Sequence, residues 1–166
     1  YKNHSNSYRS VFFFYQRRTS GEVSFDRRWN DYVNGFGNTN NGYWLGLRHT
    51  RSLIERVKLH LGLRHTSMLL FISALDYNRA KSSESGLSIE LHNLMRFTTV
   101  DRDNDACLLC NCAFPGRGGW WHYSCATANL NGLWGIPLFN LGPSWIFNAG
   151  VNRPLKSTAM MIRFRP

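Results

Sequence analysis

The chain has 166 residues, the size of one domain, with 20 Lys and Arg against 10 Asp and Glu and a net charge of +10. A 14% aromatic share with only 18% charged residues excludes a disordered chain, a coiled coil and a charged tail. No run of about 18 apolar residues is present, which argues against insertion in a membrane, and Tyr1 to Tyr15 lacks the cationic start and cleavage pattern of a signal peptide.

Residues 1–10 are polar and read as a frayed end, with Asn3-His4-Ser5 forming a glycosylation sequon. Val11 to Arg17 is aromatic and β-branched, which predicts a buried strand. Thr19-Ser20-Gly21-Glu22 predicts a hairpin turn into a short strand at Val23 to Phe25. Asp26 to Tyr32 predicts a short helix capped by Asp26, and the Gly- and Asn-rich stretch Asn34 to Gly42 a loop. Tyr43 to Leu47 is a short apolar run. In residues 48–91, Val57 to Leu63 and Ser67 to Leu75 predict strands, and Ala80 to Gly86 a polar link. Leu45 to Thr50 recurs identically as Leu61 to Thr66, a local duplication rather than a repeat array, which needs about three copies or more. From His92 to about Asn152 Gly, Pro, Asn and Trp dominate, so this tract needs staples: metal, disulfide or aromatic plugs. Ala159 to Phe164 predicts a closing strand.

The net charge invites an acidic partner. The basic residues are scattered, however, and the longest runs are Arg17-Arg18 and Arg27-Arg28. With no motif of a nucleic-acid fold, they read as a basic surface, and nucleic acid is not a partner. Cys107, Cys110, Cys112 and Cys125 permit three disulfide pairings or a single zinc site; three crowded at one end fit zinc poorly. Asp101, Asp103 and Asp105 alternate, a spacing that wraps a hard cation or forms an acidic capping turn. Ala106 and Cys112 stand where an EF-hand requires Gly and Glu, so this is not an EF-hand. Trp120-Trp121 reads as the plug of a small core, the alternative being a stacking platform for sugars or bases. No HExxH, GxSxG or phosphate-binding glycine loop occurs, and the six dispersed His read as surface residues, so the chain is not an enzyme.

Specific groups of residues resemble the fibrinogen C-terminal domain family. They begin with Gln16-Arg17-Arg18-Thr19, Val23-Ser24-Phe25, Gly35-Phe36-Gly37 and Trp44-Leu45-Gly46-Leu47. They continue with His92-Asn93, Met95 to Thr99, Asp101 to Asp105, Gly118 to Trp121, Asn129-Leu130-Asn131-Gly132 and Met160 to Arg163. The resemblance implies an α+β fold: a twisted antiparallel sheet plus a loop-rich calcium-binding subdomain. The whole of 1–166 is then one partial domain, with a sheet subdomain at 11–91, a calcium and ligand subdomain at 92–158, and the closing strand at 159–166.

By the same resemblance, calcium is held by side-chain oxygens of Asp103 and Asp105 and by backbone carbonyls near Cys107 and Leu109, with Asp101 orienting the loop. Cys112 pairs with Cys125, the additional Cys107 with Cys110, and the Ser124–Cys125 peptide is cis. The ligand pocket comprises Tyr123, Ser124, Cys125 and Ala126. The implied protein is secreted and extracellular, a homo-oligomer in its full-length form. Its implied function is calcium-dependent, lectin-like recognition of glycans or acetylated groups in innate immunity. The alternative is an angiopoietin-like ligand of a cell-surface receptor. Ala126 stands where acetyl-binding members carry His, and Gly116 and Val151 where they carry aromatics; Ala126 and the extra cysteines favour the alternative, whereas the breadth of the family, especially in invertebrates, favours the lectin-like reading.

Overall fold

A computed structural model describes residues 11–61, 91–114, 117–125, 128–136, 141–145, 155 and 157–164. Strand β1 (Val11–Arg18) lies inside a four-stranded antiparallel sheet of order β2-β3-β1-β6, with β2 at Phe36–Asn38, β3 at Gly42–Trp44 and β6 at Thr158–Phe164. Gln16 sits opposite Trp44 on one side and Met160 on the other. The β1–β6 register slips between Phe14 and Gln16. An extra residue there turns the consecutive side chains of Tyr15 and Gln16 both inward, and Arg18 follows them.

Three local expectations change. Val23 to Phe25 is not a strand, because β3 occupies the place beside β1. The segment crosses instead, and Phe25 packs edge-on against Phe36 at 4.9 Å. Helix α1 (Trp29–Asn34) starts at Arg28 rather than Asp26: the Asp31 carboxylate accepts the Arg28 N–H at 3.3 Å, the returning half of a capping box. The Gly- and Asn-rich loop contains the β2–β3 hairpin, with the Asn38 side chain accepting the N–H groups of Asn40 and Asn41 at 3.0 Å.

The largest correction lies in helix α2 (Leu47–Leu61), which takes in residues read as strand from Val57. Apolar and polar residues alternate over 57–63, as in a strand. Upstream, however, half-buried Leu47, Thr50, Leu53 and Ile54 form one helical stripe, opposite exposed Arg48, Arg51, Glu55 and Arg56. Once that helix is nucleated, each further residue adds a hydrogen bond and the helix runs on. The expected strand at Ser67 to Leu75, the link at Ala80 to Gly86 and the second copy of the duplicated hexapeptide beyond Leu61 lie outside the described residues.

The core is aromatic and joins the sheet to the loop-rich half. Tyr32 meets Trp44, Phe36 and Phe97 with ring centroids 5.1–5.3 Å apart. Trp44 Nε1 donates to Tyr32 O at 2.9 Å and Tyr32 Oη donates to Phe25 O at 2.6 Å, so these two buried polar tips are satisfied, whereas Tyr15 Oη and Trp120 Nε1 have no hydrogen-bond partner among the described residues. Trp120 is fully buried and stacks edge-on with Trp121 at 5.5 Å; the pair is a plug. Beyond residue 91 the described strands are β4 (Ala128–Asn129), paired with β5 (Ser144–Trp145), and β6.

A buried polar network fastens this half to β1. Gln16 Nε2 donates to Thr158 Oγ1 at 2.8 Å and to Asn131 Oδ1 at 3.3 Å. Asn131 Nδ2 in turn donates to Gly119 O at 2.8 Å, and Asn129 Nδ2 to Arg117 O at 2.7 Å. Arg18 Nη1 donates to the carbonyls of Leu130 and Gly132. Past the two-residue strand β4, the Asn-Leu-Asn-Gly run is held mainly by side-chain hydrogen bonds.

Candidate functional site

The acidic loop is built from the protein's own backbone amides. Asp101 Oδ1 accepts the Trp29 N–H at 2.9 Å and the Thr99 hydroxyl at 2.8 Å, while Arg102 lies over the Trp29 ring at 4.1 Å. Slight burial opposes ionisation of Asp101, but those hydrogen bonds and the Arg28 charge outweigh it and hold its carboxyl below the usual range. Asp101 therefore ties the loop to α1. Asp103 accepts the Asp105 N–H at 3.2 Å. Asp105 accepts the Cys107 N–H on Oδ1 and the Cys112 N–H on Oδ2, each at 2.8 Å. Asn104 and Asn111 fix the same loop to the carbonyls of Phe97 and Thr99 at 2.8 and 3.1 Å.

Beside the acidic loop Cys107 is bonded to Cys110, and Cys112 to Cys125. Among the described residues no cysteine is free, so no thiolate remains for zinc. The Ser124–Cys125 peptide is cis. Ala106 N–H donates to Tyr123 O at 3.0 Å, which lays the Tyr123–Cys125 segment against the acidic loop. Tyr123 and Ser124 are exposed and Cys125 is half-buried; Ala126 lies outside the described residues, as do Gly116 and Val151. At the tip of the Cys107–Cys110 loop, Leu108 and Leu109 are 98% and 99% exposed.

The donor set fits a hard cation. The carboxylate oxygens of Asp103 and Asp105 that accept an amide each retain a lone pair. No described residue donates a hydrogen bond to the carbonyls of Cys107 or Leu109. Carboxylate and carbonyl oxygens are calcium's preferred ligands, and water would complete its shell.

Two residues depart from their sequence reading: His92 and His122 are buried, not on the surface. His92 Nδ1–H donates to Trp121 O at 2.7 Å and Nε2 accepts the Ala128 N–H at 3.1 Å, an arrangement that requires the neutral ring. Burial pushes the His122 pKa down to about 4; His92 and Arg117 reinforce this, while the Gly118 backbone and Asp103 oppose it. His92 carries a signal as part of the His92-Asn93 pair in the family resemblance; His122 carries only its position after the Trp pair.

Comparison with known proteins defines the class. The family described as fibrinogen beta and gamma chains, C-terminal globular domain, matches residues 6–68 and 55–165. The two matched segments overlap across the stretch that carries the second copy of the duplicated hexapeptide. The protein belongs to this family, whose members are secreted, non-enzymatic binding domains. It is 33% identical to angiopoietin-4 of Bos taurus over 171 residues, covering 89% of this chain and 34% of that protein. Similarity is also found to human angiopoietin-related protein 6, at 34% over 168 residues, covering 89% of this chain and 36% of that one. Against fibrinogen-like protein A of Apostichopus parvimensis the identity is 33%, covering 91% of this chain and 60% of that protein. The sequence thus spans about a third of the angiopoietin-type relatives. Among solved structures, the fibrinogen-like globe domain of human ANGPTL6 superposes with a TM-score of 0.74 at 30% identity, covering 93% of this chain and 78% of that one. Among the described residues no helix is long and apolar enough to cross a membrane.

Proposed function

We propose that this domain is a protein-binding ligand module of the angiopoietin-like kind, recognising a cell-surface receptor through the face around the Cys107–Cys110 loop. The observation that carries this reading is the exposure of Leu108 and Leu109, with Phe114 63% exposed just downstream and Tyr123, whose carbonyl accepts the Ala106 N–H, 46% exposed. Apolar side chains held in water by a disulfide-closed loop suit a desolvating protein contact. A sugar is held by hydrogen bonds and an aromatic platform, and here the Trp pair is committed to the core. The relatives with the angiopoietin name support the same choice.

Domains of this family often bind calcium. In this reading Asp103, Asp105 and the carbonyls of Cys107 and Leu109 hold it, and its role is structural. It pins the loop whose far end is Cys112, and through the disulfide it steadies Tyr123 to Ala126, the residues proposed as the ligand pocket. Assembly into a homo-oligomer would multiply weak contacts.

Exposed Tyr123, an aromatic ring offered to solvent beside the acidic loop, keeps a lectin-like reading, toward glycans or acetylated groups in innate immunity, as the second possibility. A panel of receptor ectodomains and a glycan array, each probed with and without chelator, separates the two. Ectodomain binding abolished by Leu108→Ser with Leu109→Ser supports the ligand reading. Calcium-dependent glycan binding insensitive to that change overturns it.

A further inference from the structure

The two disulfides share one cluster of sulfurs. Cys110 Sγ stands 3.9 Å from Cys125 Sγ, a non-bonded contact between the bridges. The sulfurs of Cys107, Cys110 and Cys112 lie within 4.8 Å of one another. Access differs: in the outer bridge Cys110 is exposed and Cys107 half-buried, whereas in the inner one Cys125 is half-buried and Cys112 fully buried. Thiol–disulfide exchange requires a thiolate to reach a disulfide sulfur, so its rate follows access. A reductant from solvent meets the outer bridge first, at Cys110, and full reduction of that bridge frees Cys110 Sγ beside the inner one.

We propose that Cys107–Cys110 is a reducible gate onto Cys112–Cys125, through which a dithiol moves the inner bridge to Cys110–Cys125. One thiolate of the dithiol attacks the exposed Cys110 Sγ; the Cys107–Cys110 bond breaks and its electron pair leaves on Cys107, which takes a proton. The second thiolate of the reagent resolves the mixed disulfide, so the reagent is oxidised to its cyclic disulfide and Cys110 leaves as a thiolate. The freed Cys110 thiolate, no longer tethered, swings to the side of Cys125 Sγ opposite Cys112 and attacks there in line. The Cys110–Cys125 bond forms, Cys112–Cys125 breaks, and Cys112 takes a proton from water. Two electrons enter, and the protein ends with thiols at Cys107 and Cys112.

The consequence is positional. Cys125 exchanges a buried tether for a surface one two residues upstream, and the Tyr123–Cys125 segment must move with it against the acidic loop. Asp105 holds the backbone of both Cys107 and Cys112, so the exchange takes place within one carboxylate's reach. The inference concerns the protein's own bonds and stands whatever the face binds.

The test titrates the full folded protein with dithiothreitol, quenches in acid, blocks thiols with N-ethylmaleimide and maps the linked peptides. Among molecules with two blocked cysteines, at least about one in ten should carry the blocks on Cys107 and Cys112 with Cys110 linked to Cys125. That share corresponds to a gap of about 1.4 kcal/mol or less between the isomers. A smaller share, with Cys112–Cys125 intact, overturns the proposal. In Cys110→Ser, blocking of Cys112 should slow at least about tenfold at the same dose, a barrier difference of about 1.4 kcal/mol. If Cys112 is blocked there as fast as in the wild type, the reagent reaches the inner bridge directly and the gate does not exist.

Discussion

Asp105 and Cys112 are joined across the loop: the carboxylate Oδ2 accepts the Cys112 N–H at 2.8 Å, while its other oxygen holds the Cys107 N–H at the same distance. One side chain thus organises the backbone of both bridges before any metal is considered. Asp103 does much less, accepting a single N–H at 3.2 Å from an exposed position. The two carboxylates should therefore separate on substitution. Asp105→Ala should cost about 2 kcal/mol even in chelator, the worth of hydrogen bonds to a charged acceptor. Asp103→Ala should cost under about 1 kcal/mol there. Both should abolish the calcium-dependent rise in melting temperature. Thermal melts across a calcium titration check this; a rise preserved in both variants places calcium elsewhere.

Acid should loosen the loop-rich half through its buried histidines. The folded pKa of His122 is about 4 and burial lowers that of His92 as well, against an unfolded value of about 6.5. Between those values the unfolded protein binds more protons, so stability is complete above pH about 6.5 and falls as pH drops toward about 4. For His122 alone the loss is on the order of 3 kcal/mol. Denaturant midpoints from pH 7 to 4 should decline steeply in the wild type and much less in His122→Phe, which keeps an aromatic ring in the site. Equal slopes would show that His122 does not titrate on unfolding.

Arg18 is nearly fully buried, and the described residues place no carboxylate on it. It lies over Phe25 at 4.5 Å and Trp134 at 5.1 Å, and it bonds the carbonyls of Leu130 and Gly132. Burial brings its pKa down to about 10, so it stays charged at neutral pH. Arg18→Met fills much of the volume but strands two buried carbonyls, and should cost about 3 kcal/mol. Arg18→Lys keeps the charge without the planar fork and should fall between the wild type and Arg18→Met. Chemical denaturation measures both; a neutral Arg18→Met would mean that water replaces the guanidinium.

How far residues alone revealed this molecule follows from what each signal encodes. β1 was legible because its aromatic and β-branched residues have one dominant use. The fibrinogen-type fold was legible because the acidic run, the Trp pair and Asn-Leu-Asn-Gly are rare together, and the family match agrees. α2 was misread because alternation at 57–63 outweighed a stripe that becomes visible only from Leu47. Phe25 kept its burial and lost its strand, since hydrophobicity records burial while pairing is decided by which segment reaches β1 first in space. The buried histidines were missed because periodicity carries no information in a tract without regular structure. The acidic run was visible as a loop feature, but no pattern shows that Asp101 serves α1 while Asp105 serves the bridges.

Gly119 offers the last test, of the packing that carries the site. It stands between Gly118, whose φ of +71° excludes most side chains, and the buried Trp120. A Cβ at Gly119 would lie 2.7 Å from ring carbons of both Phe97 and Tyr32. Neither ring can step aside: Tyr32 is held by its hydroxyl on Phe25 O, and Phe97 is wedged between Tyr32 and Trp121, at 5.1 and 5.0 Å. Gly119→Ala should therefore cost about 1–3 kcal/mol by overpacking. Shifting the Thr98–Trp120 bridge would carry the strain into the acidic loop, because Asn104 N–H bonds Thr98 Oγ1 at 3.0 Å. Near-UV circular dichroism should lose intensity with the melting temperature, and the calcium response should weaken though no proposed ligand was altered. Unchanged spectra and an unchanged calcium response would show that the core yields locally and is not coupled to the loop.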